Sequence, residues 1–256
     1  MDDLHGLQFA LLIGLVFVAS SVSTTIGFGM NIMLVSFLQF IVPPVQLVGL
    51  AIVVGTLNAG LRAVETRRTR TGAISWRLFL PATAALPAGL AVLCLADKIL
   101  LRRLFSLVIL ASSILLLTGI QRPKNLQQRP RRTYGTQMVL GAAAGFFGSA
   151  SGMPGPPVVL CSLIQHWEKE LAHAVFARFF VFIGLLTGIA MFVTGQFETW
   201  TIVIGACLTP VVGVGFLTGI WLRSRISQLQ FRRYTMICLI LLAIAAFVNT
   251  FLMNGN

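Results

Sequence analysis

Acid is what this sequence has least of. Only 7 of its 256 residues are Asp or Glu, against 19 Lys and Arg, leaving a formal net charge of +12. The carboxylates are Asp2, Asp3, Glu65, Asp97, Glu168, Glu170 and Glu198, and all lie in polar loops or at the ends of apolar runs. No run therefore holds an acid that could relay protons, bind sodium or pair with a cationic substrate. No polar connection is long enough to hold a soluble domain. A Gly-x-x-x-x-Gly-Lys-Ser/Thr phosphate loop is absent, which excludes ATP drive within the chain. No apolar run carries a His/Glu cluster, a Ser–His pair or paired Asp residues, so no enzyme, metal or cofactor is expected. The four cysteines, Cys94, Cys161, Cys207 and Cys238, match no metal spacing and read as small core residues. The start, Met1-Asp2-Asp3-Leu4-His5, lacks the basic flank of a cleavable signal peptide and is expected to be retained.

What is present is apolar. Hydrophobic residues make up 57% of the chain, mean hydropathy is +0.90, and runs of membrane-spanning length recur throughout. An all-α polytopic protein of the lipid bilayer follows. The positive charge does not point to nucleic acid, because it is confined to short loops, the pattern of cytoplasmic loops. One such loop with its flanks holds Arg62, Arg67, Arg68, Arg70 and Arg77. A second holds Arg122, Lys124, Arg129, Arg131 and Arg132, and a third Arg223, Arg225, Arg232 and Arg233.

Two stretches interrupt the apolar pattern. Gly145–Val158 carries four glycines and three prolines in fourteen residues, too many for a continuous helix. Ala144, Gly148 and Gly152 form a smooth stripe before its break, and Pro156-Pro157 suit the first turn of a new helix. The free N–H groups of that new helix would form a ready anion site, although a tight ligand-free turn reads equally well. Ala19, Ser23 and Gly27 repeat the stripe 125 positions earlier, and Gly27-Phe-Gly29 repeats the break. Trp76 with Trp200, Pro87 with Pro210, and Arg102-Arg103 with Arg232-Arg233 extend the match at offsets of 123 to 130. The chain reads as a duplication: residues 1–120 form a first membrane repeat, 121–134 a basic cytoplasmic linker, and 135–256 a second repeat.

Placing the three basic loops in the cytoplasm leaves both termini and the Glu198 loop outside. Leu7–Val42 then enters and leaves from outside, and Thr136–Gln165 from the cytoplasm, each as a broken helical hairpin. Spans Gln46–Val64, Trp76–Leu95 and Leu100–Ile120 follow the first hairpin. Leu171–Thr194, Trp200–Leu222 and Tyr234–Met253 follow the second. Three crossings after each hairpin make the halves inverted repeats, whose breaks meet near the midplane as in many transporters.

The duplicated small-residue helix with its glycine-rich break resembles the TauE/SafE family of membrane exporters. So do the arginine-rich loop before Trp76, Pro87-Ala-Gly89 and Leu101-Arg-Arg-Leu104. The resemblance covers nearly the whole chain. It implies about eight membrane helices in two related halves, and transport of sulfite or small organosulfonates. Where that family commonly shows three glycines followed later by proline, this chain has Gly29-Met-Asn31 and Pro154-Gly-Pro156.

Arg178 lies about two turns inside a span, where an arginine is costly unless it pairs, faces water or snorkels. Its planar fork suits oxyanions. Binding an anion and snorkelling to the cytoplasmic surface both remain open. Asn31, Asn58, Ser149, Ser151, Thr24 and Thr25 could add neutral donors, each weak alone, with Gly27, Phe28, Gly29, Gly152, Met153 and Gly155 as further candidates at the breaks. His173 titrates nearest neutrality, yet an idle interfacial histidine fits as well. The reading is a secondary transporter exporting small anions across the cytoplasmic membrane by alternating access. An anion channel or, less well supported, a structural subunit are the other classes, and homo-oligomer formation stays open.

Overall fold

The computed structural model describes residues 2–107 and 130–225, apart from positions 40, 98, 102 and 166. Eight helices organise it: α1 (Asp2–Ile26), α2 (Met30–Leu38), α3 (Pro44–Glu65), α4 (Ala73–Leu95), α5 (Pro130–Ser151), α6 (Gly155–Ile164), α7 (Lys169–Val193) and α8 (Thr199–Arg225). Helical backbone also runs through 99–101 and 103–107, and no strand occurs among the described residues. Five helices (α1, α3, α4, α7 and α8) are long and apolar enough to cross a membrane. The rest of the first half's third crossing, the whole of the second half's, most of the basic linker, and Cys238 lie outside the described residues. Helix α5 begins at Pro130, inside the stretch expected to be linker.

Apolar runs become helices here because backbone groups in lipid must bond within their own segment. Their outer faces stay apolar: Leu80, Leu95, Val139 and Leu217 are two-thirds or more exposed, as lipid-facing positions should be. Cys94 and Cys207 share such faces, while Cys161 is buried, so only the last fits the expected core role. Pro81 and Pro87 in α4 and Pro210 in α8 sit within continuous helices, as membrane helices tolerate.

Glycine sets where helices come closest. A methyl group at Gly145 would overlap the backbone of Ala82, and one at Gly141 the backbone of Leu78, so α4 and α5 pack backbone to backbone and run parallel. Helix α8 lies likewise on α1, with Gly215 against Phe17 and Ser20 and Gly219 against Ser21 and Thr24. Ser20 Oγ donates to the Val212 carbonyl (2.9 Å) and Thr25 Oγ1 to that of Gly219 (3.1 Å), which makes this pair parallel too. At the centre α3 packs on α7; α3 also meets α8, and α7 meets α4. Each contact keeps a counterpart when α1–α4 are exchanged with α5–α8.

Two ends can be told apart. At one, Glu65 pairs with Arg223 and the Arg77 guanidinium lies 3.8 Å from the Tyr134 ring centroid. This basic end carries the 66–72 connection. At the other, Gln46 and Trp200 donate to the Glu198 carboxylate over 2.6–2.9 Å.

Candidate functional site

Both breaks are made by backbone that glycine adopts readily. Gly27 and Gly29 have φ of +96° and +104°, and Gly152 has φ of +70°. Helix α1 closes with the Gly27 amide on the Ser23 carbonyl (2.7 Å), and α2 restarts with the Met33 amide on the Gly29 carbonyl (3.0 Å). The amides of Met30, Asn31 and Ile32 precede that bond and have no partner within their helix. Helix α6 differs. Pro156 and Pro157 follow Gly155 at its start, so only one of its first three residues keeps an amide hydrogen. The free amides expected at the second break are mostly missing, and they concentrate at α2.

The two breaks touch. Asn31 Nδ2 donates to the Gly152 carbonyl over 2.7 Å. Around that contact is a cavity of about 40 Å³, roughly three times what one water requires. Residues 28–32 and 152–155 form it with Ile52, Gly55, Thr56 and Arg62 of α3, Phe180, Ile183, Gly184 and Thr187 of α7, and Ser23 and Gly148.

Arg62 is the charged residue of that lining, and only 3% of its surface is exposed. Its Nη1 donates to the Gly27 carbonyl, at the negative end of α1. Its guanidinium stands 5.8 Å from the Phe180 ring centroid, and its Nε is buried without a partner among the described residues. Among the described residues no carboxylate lies within ion-pair distance of it. Glu65, one turn on, is taken by both nitrogens of Arg223. Arg223 also lies 3.5 Å from His173 Nδ1. The His173 ring in turn stands 3.3 Å from where a Gly27 side chain would begin. Two arginines and one glutamate leave one positive charge over, and a buried charge needs a partner.

Of the residues singled out from sequence, Phe28, Gly29, Asn31, Gly152, Met153 and Gly155 line the cavity. Gly27 adjoins it, its carbonyl holding Arg62. The others are not in that lining. Asn58 donates to Ser20 Oγ (2.8 Å) and Thr24 Oγ1 (3.1 Å), joining α3 to α1. Ser149 donates to the Leu86 carbonyl (2.9 Å) and Ser151 to that of Phe147 (2.7 Å). Arg178 is away from the cavity lining. Its guanidinium donates to Thr71 Oγ1 and to the carbonyls of Thr66, Arg67 and Thr69, holding the loop at the basic end.

Among the polar cavity residues, Arg62, Thr56 and Thr187 were not among the candidates read from sequence. For the arginines a usable signal existed. Side chains on a helix lean toward its N-terminus. Arg62 lies near the C-terminus of α3 and so leans inward. Arg178 lies near the N-terminus of α7, at the same basic end, and leans outward.

A family described as sulfite exporter TauE/SafE matches residues 12–246. No curated protein and no solved structure matches the chain. With the match spanning nearly the whole sequence and five helices able to cross a bilayer, this multi-pass membrane protein belongs to the TauE/SafE sulfite exporter family.

Proposed function

We propose that the chain exports small anions, such as sulfite or organosulfonates, from the cytoplasm across the cytoplasmic membrane, holding each anion at Arg62 between the two breaks. One observation carries this reading: a fully enclosed arginine, without a carboxylate partner among the described residues, lines the cavity where both breaks meet. A guanidinium fork and free amides at a helix start are the donors that oxyanions use. The basic end faces the cytoplasm, both termini face outside, and the segments 1–120 and 135–256 act as inverted repeats about the linker 121–134. The exchange of packing partners between α1–α4 and α5–α8, and the parallel α1/α8 and α4/α5 pairs, support that inversion. Asn31 positions the second break against the first.

Access alternates as one repeat rocks on the other. The Glu65–Arg223 pair bridges α3 and α8 beside the cavity at the basic end and acts as the cytoplasmic latch. An anion on Arg62 removes the uncompensated interior charge, so the loaded form crosses more readily than the empty one. That predicts exchange. Sulfite efflux from proteoliposomes should saturate and be stimulated by sulfite on the far side, and Arg62→Gln should lose it. Flux that rises without limit and ignores far-side sulfite would mean a channel, while no flux of any small anion would end the transport reading.

A further inference from the structure

Hydroxyls on membrane helices usually donate to a carbonyl one turn back. Here Ser21, Thr25, Thr66, Ser151, Thr194 and Thr218 do so, over 2.7–2.9 Å. Thr56 and Thr187, like Ser23 of α1, line the cavity, and their hydroxyls make no hydrogen bond to the described residues. Thr187 is almost fully enclosed, at 1% exposure, in a place where polar groups are normally paired. Thr56 is held in place by a close helix crossing, because a methyl at Gly184 would overlap its hydroxyl. Of these three uncommitted hydroxyls, Thr56 and Thr187 stand on the closely crossing helices α3 and α7 and share the small cavity with one uncompensated guanidinium.

Charge and donor type narrow what fits. A single unpaired cation balances a single negative charge, and a dianion would leave a buried negative charge over. Arginine and backbone amides only donate, whereas a hydroxyl donates or accepts, and it answers to the direction of an oxygen lone pair. Resting on the anion reading of this cavity, we infer that Thr56 and Thr187 are specificity residues that fit the site to a singly charged oxyanion of few heavy atoms. The carbon or sulfur it carries is secondary to its charge and its oxygens.

Binding to purified full-length protein decides the matter, with methanesulfonate (one charge, three oxygens), sulfate (two charges) and chloride (one charge, no oxygens) as probes. Wild type should bind methanesulfonate at least tenfold more tightly than sulfate. Thr187→Val and Thr56→Val should each weaken methanesulfonate about threefold to tenfold, the worth of one neutral hydrogen bond, while chloride changes less than about twofold on the same scale. Thr187→Ser keeps the hydroxyl and should retain binding. Sulfate binding as well as methanesulfonate would overturn the charge assignment. Equal loss of methanesulfonate and chloride in both Val variants, or loss in Thr187→Ser, would reduce the threonines to packing. Failure of wild type to bind any of the three would remove the anion reading itself, an outcome distinct from either.

Discussion

The two breaks occupy matching places in sequence and yet are chemically unlike. The first turns through two glycines at positive φ and restarts in a helix whose first three residues all keep their amides. The second turns through one glycine and restarts in a helix with two prolines in its first turn. The first break also meets Arg62 through the Gly27 carbonyl, while the side-chain donor on the second, among the described residues, is the neutral amide of Asn31. On the proposed reading the two breaks are duplicate frames, of which the first keeps the free amides. The second, stiffened by prolines, is joined to the first through Asn31. Breaking this contrast tests it.

The largest effect should come from Arg62. Arg62→Ala removes a charge-assisted contact worth ~1.5–3 kcal/mol and should weaken anion affinity by roughly tenfold to a hundredfold. Arg62→Lys keeps the charge but loses the fork and should recover little. Arg178→Ala, whose partners all lie in the 66–71 loop, should lower thermal stability while leaving affinity within about twofold, a shift well under 1.4 kcal/mol. Titrating the three purified variants with sulfite checks both halves; a larger affinity loss at Arg178 than at Arg62 would reverse the assignment.

Next comes the latch. Glu65→Gln removes the charge that Arg223 holds, and an exposed pair of this kind contributes about 1 kcal/mol or less. The variant should fold, yet spend more time open at the basic end. A cysteine at Thr187, in a background without other cysteines, should then react faster with an impermeant thiol reagent added to inside-out vesicles. Unchanged reactivity in Glu65→Gln would mean that the pair does not close the site.

A smaller difference is expected among the glycines. Alanine at Gly29 meets no atom within 4 Å, so its cost is purely that of the left-handed backbone, about 1–2 kcal/mol. At Gly152 the neighbours begin at 3.6 Å, ordinary contact, and φ of +70° is nearer the well other residues reach. Gly27 adds crowding against Phe176 and His173 at 3.2–3.3 Å. Thermal unfolding in detergent should rank the losses Gly27 above Gly29 above Gly152, and a larger loss at Gly152 than at Gly27 would contradict the contrast.

Much of this was legible in the chain. Helix limits came from run length and from glycine and proline, which act locally and leave a clear mark; the 125-residue offset brought out both breaks before any contact was known. The site was half legible. Backbone positions at the breaks announce themselves, and six of those named do line the cavity. Asn58, Ser149 and Ser151 could not be separated from it, because a small polar side chain in a membrane helix bonds a neighbouring helix as readily as a ligand. Arg62 was grouped with the loop charges since it sits three residues from the end of α3. Only the helix direction tells an arginine that reaches back into the membrane from one that reaches out. Thr56 and Thr187 gave no signal, for what marks them is a missing hydrogen bond.

The smallest effect, and the sharpest test of the contrast, concerns the prolines. Pro156→Ala and Pro157→Ala each restore an amide hydrogen at the start of α6 without adding bulk. If both helix starts faced the anion, a new donor should improve affinity by about threefold to tenfold, the worth of one further hydrogen bond. If only α2 binds, the restored amide gains no ligand, and affinity should stay within about twofold, less than half a kcal/mol at 1.4 kcal/mol per decade. Stability should fall slightly, by about 0.4–1 kcal/mol, as the unfolded chain regains the freedom that proline had removed. The two readouts separate the explanations: lower thermal stability with unchanged sulfite affinity leaves the second break a rigid support, whereas tighter binding in either variant would give the two breaks equal parts in the site.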